Sequence, residues 1–244
     1  MIRYQVTLSY DGSNYKGWQV QPGKKSLQAA IETAFSTLYK TKIEIVASGR
    51  TDTGVHALGQ VFHYDVFQEI PEKRIVKGIN SLLPKDIRIL KIEKIDSEFH
   101  ARYLAKSKIY EYRVNLGRYD LFQRNYCLQY NQRVDVSLIK AVLKVFIGTH
   151  DFTSFNTTTL KENYNQVRTI EKFSVKEIDN LLIFTIQGSG FLRYMIRMII
   201  GTTLEVGRGK LSISEVKTML EKQEKGVCRY KAGAEGLYLK KVIY

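Results

Sequence analysis

Ser48-Gly49-Arg50-Thr51-Asp52-Thr53-Gly54-Val55-His56 is the stretch from which the rest of the chain can be read. Two glycines, which allow tight bends, bracket an arginine and an aspartate. Apolar or β-branched residues flank them, Ile43, Ile45 and Val46 before and Val55, Val61 and Phe62 after, so the stretch is a loop between two strands. A carboxylate on such a loop, with a cation two residues away, suits a reaction that needs an ionised and positioned aspartate. Asp52 is therefore the candidate catalytic residue. Asp-Thr-Gly is also an ordinary turn, because Asp caps nearby amides and Gly takes positive φ, so the rest of the chain has to decide.

Working outward, strict alternation predicts a strand over 2–10. Tyr10-Asp11-Gly12 through Gly17-Trp18-Gln19 follows as a loop, with Trp18 either a base-stacking lip or part of the core. Ser26 caps a helix with an apolar stripe at Leu27, Ile31, Ala34, Phe35 and Leu38, and a strand over 43–48 leads into the Asp52 loop. A strand over 56–67, a helix opened by Pro71 and running through 83, and a strand over 87–95 complete this half.

The strand over 106–116 puts Tyr110 and Tyr112 on one face, as cross-strand packing or as a stacking platform. Asp135 or Ser137 caps a helix closed by Gly148, and strands over 168–178 and 181–187 turn across Asp179-Asn180. A nearly buried helix starts at Phe191. Arg193 and Arg197 lie one turn apart on it, either reaching the interior beside an anion or snorkelling at the helix edge. Ser214 caps a last helix before a closing strand over 237–244. Strands and helices alternate similarly in both parts, which predicts an α+β fold of two related halves, 1–104 and 105–244, with mainly antiparallel sheets joined side by side.

Among 244 residues, 38 Lys and Arg stand against 24 Asp and Glu, a formal charge of +14, and 11% are aromatic. Such a chain suits a polyanion whose bases can be stacked, and RNA is the expected partner. Cys127 and Cys228 are far apart, with neither Cys-x-x-Cys nor paired His, so no zinc site or disulfide framework is expected. The absence of a leader-like apolar stretch and of an unbroken apolar span predicts a cytoplasmic protein without a membrane segment.

With these residues in place, the chain resembles the tRNA pseudouridine synthase A family. The resemblance is carried by the Tyr10–Gln19 loop, Gly49-Arg50-Thr51-Asp52 with Gly54-Val55-His56-Ala57, Phe99-His100-Ala101-Arg102 and Lys108-Ile109-Tyr110-Glu111-Tyr112. Asp151-Phe152-Thr153-Ser154-Phe155 and the stretch 188–201, with Phe191-Leu192 and Met195-Ile196-Arg197, complete the set. It implies a basic cleft between the halves with the aspartate at its floor, and a homodimer in which one tRNA contacts both subunits. The implied reaction converts uridine to pseudouridine at positions 38, 39 and 40 of the anticodon stem-loop, without cofactor or metal. It also implies Asp52 as nucleophile or base, Arg197 as its buried ion-pair partner, and Tyr110 packing on the flipped uracil and taking the proton from carbon 5. Arg50, Arg102 and Trp18 join Tyr110 as substrate-binding residues. Tyr112→Phe is the matched control for Tyr110→Phe. Where the family usually has Ala-Pro-Ala-x-Gly-Leu, this chain has Gly233 in place of the proline, which predicts a looser loop.

Two rival readings make specific demands. An aspartic peptidase would need a second Asp-Thr-Gly to share a proton with Asp52, and this chain holds one; Arg50 two residues away favours full ionisation instead. A non-catalytic RNA-binding protein or RNA chaperone would account for the charge and aromatics but not for the ordered motifs around Asp52.

Overall fold

The structure, a computed structural model, describes residues 1–159, 161 and 164–244. In chain order the elements are β1 (Ile2–Tyr10), α1 (Leu27–Tyr39), β2 (Val46–Ala47), β3 (His56–Val66), α2 (Glu72–Leu82), β4 (Ile87–Ile95), β5 (Ser107–Asn115) and β6 (Leu128–Gln129). They continue with α3 (Val136–Phe146), β7 (Gly148–Asp151), a 3-10 turn (Thr153–Phe155), β8 (Val167–Ile178), β9 (Leu181–Gly188), α4 (Met195–Gly207), α5 (Ile213–Lys222) and β10 (Leu237–Ile243). The fold is mixed α+β, and its chain divides into two compact units. The first holds Met1–Lys106 and Tyr238–Tyr244, the second Ser107–Leu237. The closing strand, expected within the half 105–244, has Tyr238–Tyr244 in the first unit.

In the first unit β1 lies between β4 and β3, antiparallel to both, and β2 and β10 add short pairings to β3. Alternation along β1 buries Tyr4, Val6, Leu8 and Tyr10. Helix α1, capped by the Ser26 hydroxyl, packs Phe35 edge-on against Phe62 and Tyr64, with ring centroids 5.6 and 4.8 Å apart. The Tyr39 and Tyr64 hydroxyls meet at 3.0 Å, and burial raises both phenols above their ordinary range. The expected strand over 43–48 contracts to Val46–Ala47. The reason is local: Ser36 Oγ accepts the Ile43 amide at 2.9 Å and Glu32 Oε1 accepts the Ile45 amide at 3.2 Å, so side chains of α1 take donors that a neighbouring strand would have used.

In the second unit the order is β5-β9-β8-β7, all antiparallel, with β6 parallel to β5. Asp179, at φ 54°, makes the turn between β8 and β9. Phe146 of α3 packs on Phe155 and Phe173, and Phe173 on Phe184. Asp135, rather than Ser137, caps α3, accepting the amides of Ser137 and Leu138.

Two helix starts differ from expectation. Helix α4 begins at Met195, after Tyr194 at φ 62°, so Phe191, Leu192 and Arg193 precede the helix, and Arg193 and Arg197 do not share a helical face. The backbone of residue 193 is otherwise engaged: its carbonyl accepts the Thr157 amide at 3.2 Å, and its amide donates to Thr158 Oγ1 at 3.1 Å. Arg193 is exposed and Arg197 half-buried, while most of α4 is buried as expected. Helix α5 is capped by Ser212, not Ser214. Ser212 and Glu215 form a reciprocal capping box, which places Ser214 inside the first turn.

Candidate active site

The loop bearing Asp52 is held from both sides within the first unit. At its start, Ser48 Oγ donates to Gln60 Oε1 at 2.7 Å, and Gln60 Nε2 donates to the Gly49 carbonyl at 2.9 Å. Further on, the Tyr10 and Thr51 hydroxyls meet at 2.8 Å, buried, and the Trp18 amide donates to the Thr51 carbonyl at 3.1 Å. The Val55 amide returns to the Asp52 carbonyl at 3.2 Å, and Gly54 takes φ 78°, closing a tight turn around the aspartate. Asp52 is half-buried and Arg50 exposed.

Two glycines of the 10–19 loop let it approach this closely. A Cβ at Gly12 would lie 2.0 Å from the Val55 carbonyl oxygen. One at Gly17, which has φ +88°, would lie 2.9 Å from the Thr51 carbonyl oxygen. His56 adds a further clasp, Nδ1 accepting the Gly12 amide at 3.2 Å, with its ring stacked on Tyr238 at 4.7 Å. Trp18 is only 3% exposed and packs on Tyr10 and Phe62. Of its two readings, the packed one describes this structure, because a stacking surface needs an open face.

Within the second unit, the remaining candidate residues lie on β5, at α4 and beside the 230–237 segment. Tyr110 is buried and meets the edge of Phe191 at 5.2 Å and 81°. Arg197 Nε donates to the Ala232 carbonyl at 2.9 Å, and its guanidinium carbon lies 5.0 Å from the Tyr194 ring centre. Arg193 and Lys231 approach the same ring, at 5.2 and 4.7 Å. The Asp151–Phe155 stretch works at a distance. Phe152 and Phe155 are core, and Asp151 accepts from Thr153. The following Asn156 Oδ1 accepts the Thr158 amide, and Thr157 and Thr158 in turn hold residue 193 ahead of α4.

Tyr112 has a bond that strand spacing does not reveal. Its hydroxyl donates to the Gly233 carbonyl at 2.9 Å, and burial pushes the phenol well above its ordinary range. Tyr112→Phe is therefore not a silent control, because it removes a hydrogen bond worth about 1 kcal/mol from the 230–237 segment. The same bond, and the Arg113 amide donating to the Gly236 carbonyl at 2.9 Å, tie down the loop that the missing proline was expected to loosen.

The Phe99–Arg102 motif is a turn. The Ala101 amide donates to His63 Nδ1 at 3.2 Å, and Tyr244 donates to the Ala101 carbonyl at 2.7 Å. Arg102 is exposed. Burial, and then the charge of Arg3, hold His63 down at about 4, so it is neutral and free to accept at Nδ1. An unfolded histidine titrates near 6.5, so between about pH 6.5 and 4 the unfolded chain binds the extra proton and stability falls as pH falls. His63→Asn, whose amide oxygen replaces the acceptor, should show a flatter decline of melting temperature across that window than wild type. Parallel declines would show that His63 does not carry the effect.

Among the described residues no group of three or more His, Cys, Asp or Glu is placed to hold a metal, and no helix is long and apolar enough to cross a membrane. Sequence reasoning did not single out Thr51, Gln60 or Tyr194. Thr51 and Gln60 take their roles from partners elsewhere in the chain, and the left-handed backbone of Tyr194 has no local signature.

The family model described as tRNA pseudouridine synthase matches residues 7–104 and 142–244. A Bacillus subtilis (strain 168) protein named tRNA pseudouridine synthase A is 44% identical over 246 residues, covering 100% of this chain and 99% of the relative. A protein of the same name from Lacticaseibacillus casei (strain BL23) is 43% identical over 248 residues, covering 100% of both. Another from Exiguobacterium sp. is 41% identical over 244 residues, covering 100% of this chain and 98% of the relative.

Proposed function

The chain belongs to the tRNA pseudouridine synthase family, and from that premise we propose that it isomerises uridines 38, 39 and 40 in the anticodon stem-loop of tRNA. It is an isomerase acting on tRNA. The observation that carries the reading is the Asp52 loop, whose backbone on both sides of the aspartate is pinned by Gln60, Tyr10, Trp18 and a close glycine contact. Catalysis by a carboxylate depends on such positioning.

In the proposed reaction the uridine leaves its stack, because neither the glycosidic bond nor carbon 5 can be reached in a duplex. The ionised Asp52 serves as nucleophile toward the sugar or the base, or as base toward a sugar proton; each route uses the same carboxylate. The N1–C1′ glycosidic bond breaks, the uracil turns, and carbon 5 bonds to the anomeric carbon as any bond to Asp52 is released. The carbon 5 proton passes to the Tyr110 oxygen while the phenol proton leaves to solvent, and N1 takes up a proton from solvent, so substrate and product have the same atoms. Arg197 is the proposed ion-pair partner of Asp52, Arg50 the proposed contact to the RNA backbone or to the place that the extruded base vacates, and Arg102 a further substrate contact. The protein is proposed to act as a homodimer in the cytoplasm. The site proposal is tested with isolated stem-loops carrying a single uridine at position 38, 39 or 40: all three should yield pseudouridine. Stem-loops that stay unmodified while whole tRNA is modified elsewhere would overturn the anticodon assignment.

Tyr110→Phe should leave tRNA affinity within about twofold, because the ring keeps its packing on Phe191, yet lower single-turnover product formation by about a hundredfold or more. Product formed at the wild-type rate would move the proton acceptor elsewhere.

Arg197→Lys keeps a cation but loses the planar fork that donates to Ala232 and lies over Tyr194. Turnover should drop by about tenfold or more with affinity nearly unchanged, as read from kcat and KM separately. A drop confined to KM would make Arg197 an RNA contact only.

A further inference from the structure

One exposed aromatic side chain has more support beneath it than a solvent-facing residue needs. Tyr103 is 75% exposed, yet its ring lies flat on His100, with centroids 4.1 Å apart and planes at 25°. His100 is itself fixed, because its Nδ1 faces the amides of Arg102 and Tyr103 at 3.2 Å each. The edge of His100 meets the buried His63 at 4.9 Å, and His63 accepts the Ala101 amide. Tyr244 holds the Ala101 carbonyl, and the Leu104 amide closes the turn onto the His100 carbonyl at 3.0 Å. The Arg102 guanidinium carbon lies 5.9 Å from the Tyr103 ring centre.

We propose that Tyr103, backed by His100 and flanked by Arg102, is a stacking platform for an unpaired base of the RNA substrate, with Arg102 on the adjoining phosphate. This rests on the reading of the protein as an RNA-modifying enzyme. One face of the ring is taken by His100, and although the Arg102 guanidinium carbon lies over the ring at 5.9 Å the residue remains 75% exposed, which leaves ring surface for a base. Every base offers a π-face to such a ring, and a ring ordered in advance costs little further entropy when it binds. Charge selects RNA over another copy of the chain as occupant: the protein carries +14, and a guanidinium lies over the ring at 5.9 Å. Copies of so basic a chain repel one another at a basic face, whereas a polyanion is drawn to it. Unstacked bases next to aromatic and guanidinium groups are the usual form of single-stranded RNA recognition.

The experiment measures tRNA affinity over a range of salt for wild type, Tyr103→Ala, Tyr103→Phe and Arg102→Ala, with melting temperature and sedimentation recorded for each. Tyr103→Ala should weaken binding by about 5- to 100-fold without changing the slope of log affinity against log salt, since stacking releases no counterion. Tyr103→Phe should bind within about twofold of wild type, and Arg102→Ala should reduce the slope by about one. Affinity of Tyr103→Ala within twofold of wild type, or equal losses in the Ala and Phe variants, would overturn the platform. So would a loss of affinity that follows only from dissociation of a dimer, which would assign the ring to a contact between copies. Wild-type turnover on the same tRNA is read in parallel: absence of pseudouridine there overturns the enzyme reading, while unchanged affinity in Tyr103→Ala overturns the platform whatever the turnover.

Discussion

Asp52→Asn is expected to lower pseudouridine formation by about a thousandfold or more while tRNA affinity stays within a few-fold of wild type. Asparagine matches aspartate in shape, so the turn closed by the Val55 amide on the residue 52 carbonyl should survive, as should the contacts of Thr51 with Tyr10 and Trp18. Only the reactive charge is lost. Single-turnover assays with excess enzyme separate the two quantities, because they read chemistry after binding is complete. Turnover near wild type in purified Asp52→Asn would remove the carboxylate from the reaction.

Gly12→Ala should cost both stability and activity although the residue is 40 positions from Asp52 in the chain. The new methyl would sit 2.0 Å from the Val55 carbonyl oxygen and 2.7 Å from its carbon, both backbone atoms, so the 10–19 loop and the Asp52 loop must separate. Forced separation of packed backbone typically costs about 1–3 kcal/mol, and misplacement of a catalytic group by an ångström can cost about a hundredfold in rate. Melting temperature and kcat should therefore fall together, with the salt dependence of tRNA binding unchanged because no cation is touched. Melting and turnover both at wild-type values would show that the two loops are not coupled through Gly12.

Much of this site was legible in the sequence because its parts are short and local. Two glycines around Arg50 and Asp52, alternation in β1, and apolar or β-branched residues on both sides of the loop announce a loop between strands without any knowledge of the fold. The coupling between parts was not legible. Tyr10 and Thr51 share a hydrogen bond across 41 positions, and nothing in either segment alone says that the 10–19 loop is the clamp of the Asp52 loop. For the same reason the sequence around Trp18 suits a lip or a core position equally, and its packing on Tyr10 and Phe62 decides for the core.

Periodicity misled where apolar residues continued a pattern that the backbone did not. Phe191 and Leu192 extend the stripe of α4 toward its N-terminus, yet Tyr194 turns left-handed and the peptide of residue 193 bonds to Thr157 and Thr158. Side-chain acceptors misled in the opposite sense at 43–45, where Glu32 and Ser36 take amides that the β-branched run had suggested for a sheet. The Tyr112 hydroxyl bond to Gly233 spans 121 positions and lies outside any local pattern.

The most direct test is to incubate the wild-type protein with unmodified tRNA transcripts, without added cofactor, and map pseudouridine at single-nucleotide resolution. The expected result is conversion of the uridines at 38, 39 and 40, and none in the same transcripts treated with Asp52→Asn. Transcripts that bind tightly yet carry no pseudouridine at any position would contradict the account and leave an RNA-binding protein in its place.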